Sequence, residues 1–194
     1  MLLSTPKLSF LVLLLLSISG CVTGNVNVHE SPSEDSEYYE ILEDSTKDET
    51  VYKNFETRFT VKATYLSPKF RTAFSKRLEK VFMQGSLKFD HERTKAGFFI
   101  SIYSPDSDRM DLHNDQHWTV LLGSDQGDLK PVLIKKLNDK ERWRAFFDGI
   151  SHWTTEYLVV FDAPNVTPNS PDLVEKTSIK LTFANADGKV KLTW

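Results

Sequence analysis

The chain has 194 residues, 40% hydrophobic and 26% charged, with a net charge of −3, a balance that favours one globular domain with an ordinary soluble core. The charge is unevenly spread: residues 22–50 carry nine acids against the single base Lys47, while residues 51–194 hold 18 acids and 22 bases. A domain of about +4 without a Lys/Arg stripe argues against nucleic acid as a partner, and one cysteine excludes a disulfide framework.

The first twenty residues carry one charge, Lys7, ahead of an apolar stretch from Leu8 to Leu16 broken only by Ser9. Its length suits the core of a signal peptide and is too short to cross a bilayer as a helix. Ile18-Ser19-Gly20-Cys21 follows: an aliphatic residue, two small residues, then the lone cysteine. This segment, and no other part of the chain, resembles the lipobox of bacterial lipoproteins. The resemblance implies cleavage after Gly20 and acylation at Cys21. With Val22 rather than Asp after the cysteine, it also implies an outer-membrane address, the domain facing the periplasm or the cell surface. Two or more acyl chains, at about 0.8 kcal/mol per buried methylene, anchor a protein stably.

The expected organisation is a signal peptide over 1–20, a lipidated N-terminus and acidic disordered tether over 21–50, and one domain over 51–194. Residues 22–50 are rich in Glu, Asp, Ser and Thr and hold too little apolar surface to offset ordering entropy. As a coil they reach about 30 Å, and their charge holds the domain off an anionic surface. Tyr38-Tyr39-Glu40-Ile41-Leu42 is the one apolar cluster within them, suited to a partner-binding motif or an added edge strand.

From Phe55 the pattern changes. Phe55, Thr57, Phe59, Val61, Ala63 and Tyr65 alternate with polar residues, which predicts a half-buried strand. Ser67-Pro68 supplies an N-cap and a first helical residue. Phe70, Phe74, Leu78, Val81 and Phe82 then recur at helical spacing, with Gly85 as the stop, so one amphipathic helix is expected near 68–84. Its basic side faces water. Strands are expected at 96–104, at 117–123 and 129–137 around the turn Ser124–Asp128, at 142–147 (RWRAFF) before the tight turn Asp148-Gly149, and at 151–162. Pro131 marks an edge strand. Prolines 164, 168 and 171 mark an exposed loop over 165–172. The chain closes on a hairpin in which Ile179, Leu181 and Phe183 oppose Val190, Leu192 and Trp194 across Asn185–Gly188. About eight strands with one helix and no βαβ alternation predict a mainly β fold, an antiparallel β-sandwich with an open barrel as the alternative.

One stretch concentrates potential ligands: Asp106, Asp108, Asp111, His113, Asp115 and His117. If residues 111–117 are extended, Asp111, His113, Asp115 and His117 project to one side, and mixed His and carboxylate donors suit a divalent metal. The spacing matches no established ligand motif, and the competing reading is a solvated, Asp-rich loop. No nucleophile elbow, zinc-protease motif or phosphate loop occurs, so no catalytic residue is assigned and no cofactor is required. Trp118, Trp143, Trp153 and Trp194 stack on sugars if exposed and fill the core if not; His152 reads as a turn-flanking residue. The leading expectation is a non-enzymatic envelope lipoprotein, bound to the membrane by its anchor and to an unknown protein or envelope polymer by its domain. The alternative is a metal-dependent or glycan-binding domain using the 106–117 loop.

Overall fold

The structure is a computed structural model describing residues 35–83, 95–124, 127–164 and 178–194. The signal segment 1–20, Cys21, the helix stop at Gly85 and the loop 165–172 lie outside these described residues. In chain order the elements are α1 (Ser36–Ser45), β1 (Thr46–Lys53), β2 (Glu56–Tyr65), α2 (Pro68–Phe82) and β3 (Lys95–Tyr103). A 3-10 turn (Ser107–Met110) follows, then β4 (Thr119–Ser124), β5 (Gly127–Leu129), β6 (Pro131–Leu137), α3 (Lys140–Arg144), β7 (Thr154–Pro164), β8 (Lys180–Asn185) and β9 (Gly188–Thr193).

The strands form two antiparallel sheets, β1-β2-β3-β7-β6 and β5-β4-β8-β9. This is a β-sandwich and not a closed barrel. Alternation in β2 places Phe59, Val61, Ala63 and Tyr65 inward, where they meet Phe98, Ile100, Tyr157, Val159, Leu181, Phe183 and Val190 in a core between the sheets. The terminal hairpin has the expected register, Leu181 opposite Leu192 and Phe183 opposite Val190, extended by reciprocal backbone bonds between Ile179 and Trp194. Pro131 opens β6, which lies at a sheet edge as expected. At the other edge, a side chain at Gly188 of β9 would meet Val51 of β1 at 2.7 Å, so glycine lets the two sheets approach there.

A second core lies on the outer face of the five-stranded sheet. Leu66, Phe70, Phe74 and Leu78 pack with Phe99, Leu158, Val160, Trp143, Phe146 and Phe147, and the Phe99 and Phe147 rings stack at 3.7 Å. Strands β3 and β7 are therefore covered on both faces, which is why they read as nearly continuous apolar runs. Ser67 caps α2 by accepting the Phe70 N–H at 3.1 Å. The helix ends at Met83, which takes a left-handed conformation; Val81 and Phe82 stay substantially exposed.

Three expectations are corrected. Residues 35–50 are part of the domain: α1 buries Tyr38, Ile41 and Leu42 against the second core, and β1 pairs with β2 from Thr46↔Thr64 to Lys53↔Glu56. The buried positions 38, 41, 42 and 45 follow helical spacing, so tertiary contact orders a segment whose composition alone would leave it unfolded. RWRAFF is not a strand. Asp139 caps α3 by accepting the Arg142 N–H at 3.3 Å, and Trp143, Phe146 and Phe147 are buried at helical rather than alternating spacing. The run 129–137 divides at Lys130 between the two sheets, giving nine strands and three α-helices among the described residues.

Two tyrosines tie these layers together. Tyr38 Oη donates to the Phe146 carbonyl at 2.6 Å and Tyr157 Oη donates to the Met110 carbonyl at 2.9 Å. Burial raises the ionisation of both, that of Tyr157 to about 12. A folded-state pKa above the unfolded value of about 10 gives stability that is complete below pH 10 and lost as the pH rises through the folded value. The urea midpoint is thus expected to fall between pH 10 and 12, and to fall less in Tyr38→Phe; an unchanged slope in that variant would contradict the assignment.

Candidate functional site

The predicted metal stretch connects β3 to β4 and is built of turns, not extended chain. Asn114 N bonds Asp111 O at 3.2 Å, and His117 N and Trp118 N both bond Asn114 O, at 3.0 and 2.9 Å. The premise that Asp111, His113, Asp115 and His117 share one face is therefore overturned. Asp106 pairs with Arg109 at 3.0 Å. Arg109 also pairs with Asp187 of the β8–β9 turn, which Arg58 approaches at 3.6 Å. Asp108 lies within the 3-10 turn. Asp111 Oδ1 accepts the His113 backbone N–H and faces the His113 ring Nδ1, both at 3.1 Å. These bonds, the backbone one foremost, hold the Asp111 carboxyl below its ordinary range. His113 Nε2 faces the Ile134 carbonyl at 2.9 Å. His117 Nδ1 lies 3.4 Å from the Asn114 amide, and Asp115 is exposed. Asp106, Asp111, His113 and His117 thus serve turns and ion pairs, and no three His, Cys, Asp or Glu among the described residues are grouped to hold a metal.

A different site lies beside this stretch. A cleft of about 670 Å³ is lined by Ser104, Met110, Lys140, His152, Trp153 and Glu156, among others. Glu156 is fully buried in β7. Its Oε1 accepts the Thr154 hydroxyl at 2.5 Å; its Oε2 accepts no hydrogen bond but lies 3.8 Å from Lys140 Nζ. Lys140 Nζ in turn donates to the carbonyls of Ser151 at 3.1 Å, His152 at 3.2 Å and Thr154. The ammonium therefore sits in a cage of three carbonyls and one carboxylate, all three of its protons committed.

The cage has a consequence for the loop it closes. Residues 151–154 are fastened at three carbonyls, and the Ser151 N–H donates to Thr154 Oγ1 at 2.9 Å. On this fixed loop Trp153 is 70% exposed, with the His152 ring edge-on at 5.5 Å. Of the four tryptophans, Trp118 and Trp143 are buried and Trp194 packs on the core, donating Nε1–H to the Ser45 carbonyl at 2.7 Å.

No family model, curated protein or solved structure matches this chain. The site is therefore read from its own geometry. A pre-ordered indole beside a polar cleft suits recognition. Neither Lys140 nor Glu156 is given a role by the sequence, which places Glu156 only within the strand expected at 151–162, with no face assigned to it. Leu158 and Val160 on the same side as Glu156 were the available signal that this face is covered.

Proposed function

We propose that this chain is a lipid-tethered, non-enzymatic binding module of the bacterial envelope, anchored at Cys21 and engaging a protein or envelope polymer at the Trp153 cleft. The single observation carrying the binding site is the exposed Trp153 on a loop fixed by the Lys140–Glu156 cage. Immobilising an aromatic before contact lowers the entropy cost of association, and such residues dominate binding energy at interfaces. The address rests on Ile18-Ser19-Gly20-Cys21 and its lipobox resemblance.

The test is site-specific photocrosslinking in intact cells, with the crosslinking residue at His152 and, as a control, at Lys180 in the other sheet. A discrete adduct from position 152 that disappears in Trp153→Ala is the expected result. Adducts equal at the two positions would overturn the cleft assignment. Mass spectrometry of the mature N-terminus tests the address separately: an unmodified Cys21 would overturn it.

A further inference from the structure

The β1–β2 hairpin ends in a two-residue turn, Asn54-Phe55, with both residues left-handed at φ 55° and 64°. Such turns favour glycine at the second position because a side chain there is strained. This one carries a phenylalanine instead, and its ring is wholly exposed (106%), with Tyr52 beside it 68% exposed. Apolar exposure and backbone strain both cost stability at one residue, a combination that points to function.

Its location narrows what that function is. β2 pairs with β3 only from Thr60, opposite Tyr103, while the β1–β2 ladder continues to Lys53↔Glu56. The hairpin therefore runs on past the end of β3; Ser104 Oγ, just after β3, still donates to the Arg58 carbonyl at 3.1 Å, and the tip at residues 53–56 lies beyond that contact. Tyr103 is in turn opposite Thr154, so Trp153 lies at the same end of the sheet. The chain also enters the domain on this end. Asp35 pairs with Arg77 and Lys80 near the end of α2, each at 3.2 Å. Phe82 of that helix packs on Phe146 and under Arg142 of α3. Lys140 of α3 holds the 151–154 carbonyls. Exposed Met83 follows Phe82. Cys21 stands only fourteen residues before Asp35, at most about 50 Å of fully extended chain.

We infer that this end of the domain faces the lipid surface, with the Tyr52/Phe55 hairpin tip inserting its aromatic rings into the bilayer interface. The inference rests on the anchored reading given above. Among the described residues, six of the nine large hydrophobics that remain exposed (Tyr39, Tyr52, Phe55, Val81, Phe82 and Met83) lie on the elements at this end, apart from Trp153, whose indole belongs to the cleft. Aromatic rings are at home at the membrane interface, where apolar body and polar surroundings meet. Lys53, one residue from Asn54, adds a cation suited to anionic headgroups.

The test places an environment-sensitive fluorophore at Lys53→Cys, leaving Phe55 in place, in the full acylated chain on phosphatidylethanolamine/phosphatidylglycerol vesicles. Acylation consumes the Cys21 thiol, so the label goes to position 53 alone; Lys180→Cys, at the far end, is the control. Blue-shifted emission quenched by brominated lipid is expected at 53 and aqueous emission at 180. Aqueous emission at both sites, with the protein floating with the vesicles, would overturn the inference. A blue shift that appears without vesicles and grows with protein concentration would overturn it in favour of self-association. Phe55→Gly relieves the left-handed strain, so the melting temperature holds or rises while the blue shift is lost. If mass spectrometry shows Cys21 unacylated, the anchored reading fails on its own. The Cys21→Ser chain then still reports the tip: vesicle partitioning about tenfold or more weaker in Phe55→Gly keeps the lipid contact, and equal partitioning removes it.

Discussion

Leu42→Ala is expected to lower the unfolding free energy by about 3 kcal/mol, the usual cost of emptying a buried leucine site, with the urea midpoint as the readout. Leu42 is 2% exposed and sits with Tyr38 and Ile41 in the core shared by α1, α2 and the outer face of the five-stranded sheet. Tyr38→Phe is expected to cost about 1 kcal/mol, the net worth of one hydrogen bond, because its hydroxyl reaches the Phe146 carbonyl across 108 residues of chain. Glu43→Ala, on the exposed side of the same helix, is expected to change stability by less than about 0.5 kcal/mol. Were residues 35–50 a tether, all three substitutions would be silent. The contrast between positions 42 and 43 therefore decides whether α1 belongs to the folded unit. Acid adds a check at the start of α1. The Lys80 hydrogen bond, with Arg77 alongside, holds the Asp35 carboxyl below its ordinary 3.8. This contribution is present above about pH 4 and lost as the pH falls through the lowered folded value, so Asp35→Asn should flatten the acid limb of the stability profile.

What was legible in the sequence divides along physical lines. Strands with one buried face declared themselves by alternation, as in β2 and the β8–β9 hairpin, and Ser67-Pro68 marked a helix start that local chemistry alone enforces. The sandwich followed from these. Two other segments owe their form to distant partners. In α1 the buried positions 38, 41, 42 and 45 carry a helical stripe, but a helix of ten residues with acids between them has little stability alone; α2 and Phe146 supply what it lacks. Residues 142–147 are dense in aromatics that suit strands by propensity, yet Asp139 in its left-handed conformation caps a helix there. The ligand-rich loop misled for a related reason. Asp and Asn recur there because their side chains close turns, as Asp111 and Asn114 do on the N–H groups of His113 and Gln116. The cleft was invisible because Lys140 and Glu156 meet only once β6 and β7 pair, Leu137 lying opposite Glu156.

Lys140→Met is expected to be the most destabilising single change on this surface, at about 3–5 kcal/mol, the range seen when a buried charge loses its only ionic partner. The substitution keeps the side chain's apolar stem and removes the ammonium, leaving the Glu156 carboxylate buried with one hydrogen bond from Thr154 and three carbonyls without their shared donor. Glu156→Gln is expected to cost less, about 1–2 kcal/mol: its amide oxygen still accepts from Thr154, and Lys140 keeps its three carbonyls. The double variant separates pair from parts. If the cage works as described, Lys140→Met/Glu156→Gln is more stable than Lys140→Met alone, because no charge is left stranded, and the cycle returns a coupling of about 1–3 kcal/mol. A cost below about 1 kcal/mol for Lys140→Met would place the contact among ordinary exposed ion pairs. The same variants probe recognition, since Lys140 holds the loop that presents Trp153. Glu156→Gln, with that loop still fastened, should retain the photocrosslink from position 152. Lys140→Met should lose it at temperatures where the domain is still folded, and loss in both or neither would separate Trp153 presentation from the cage.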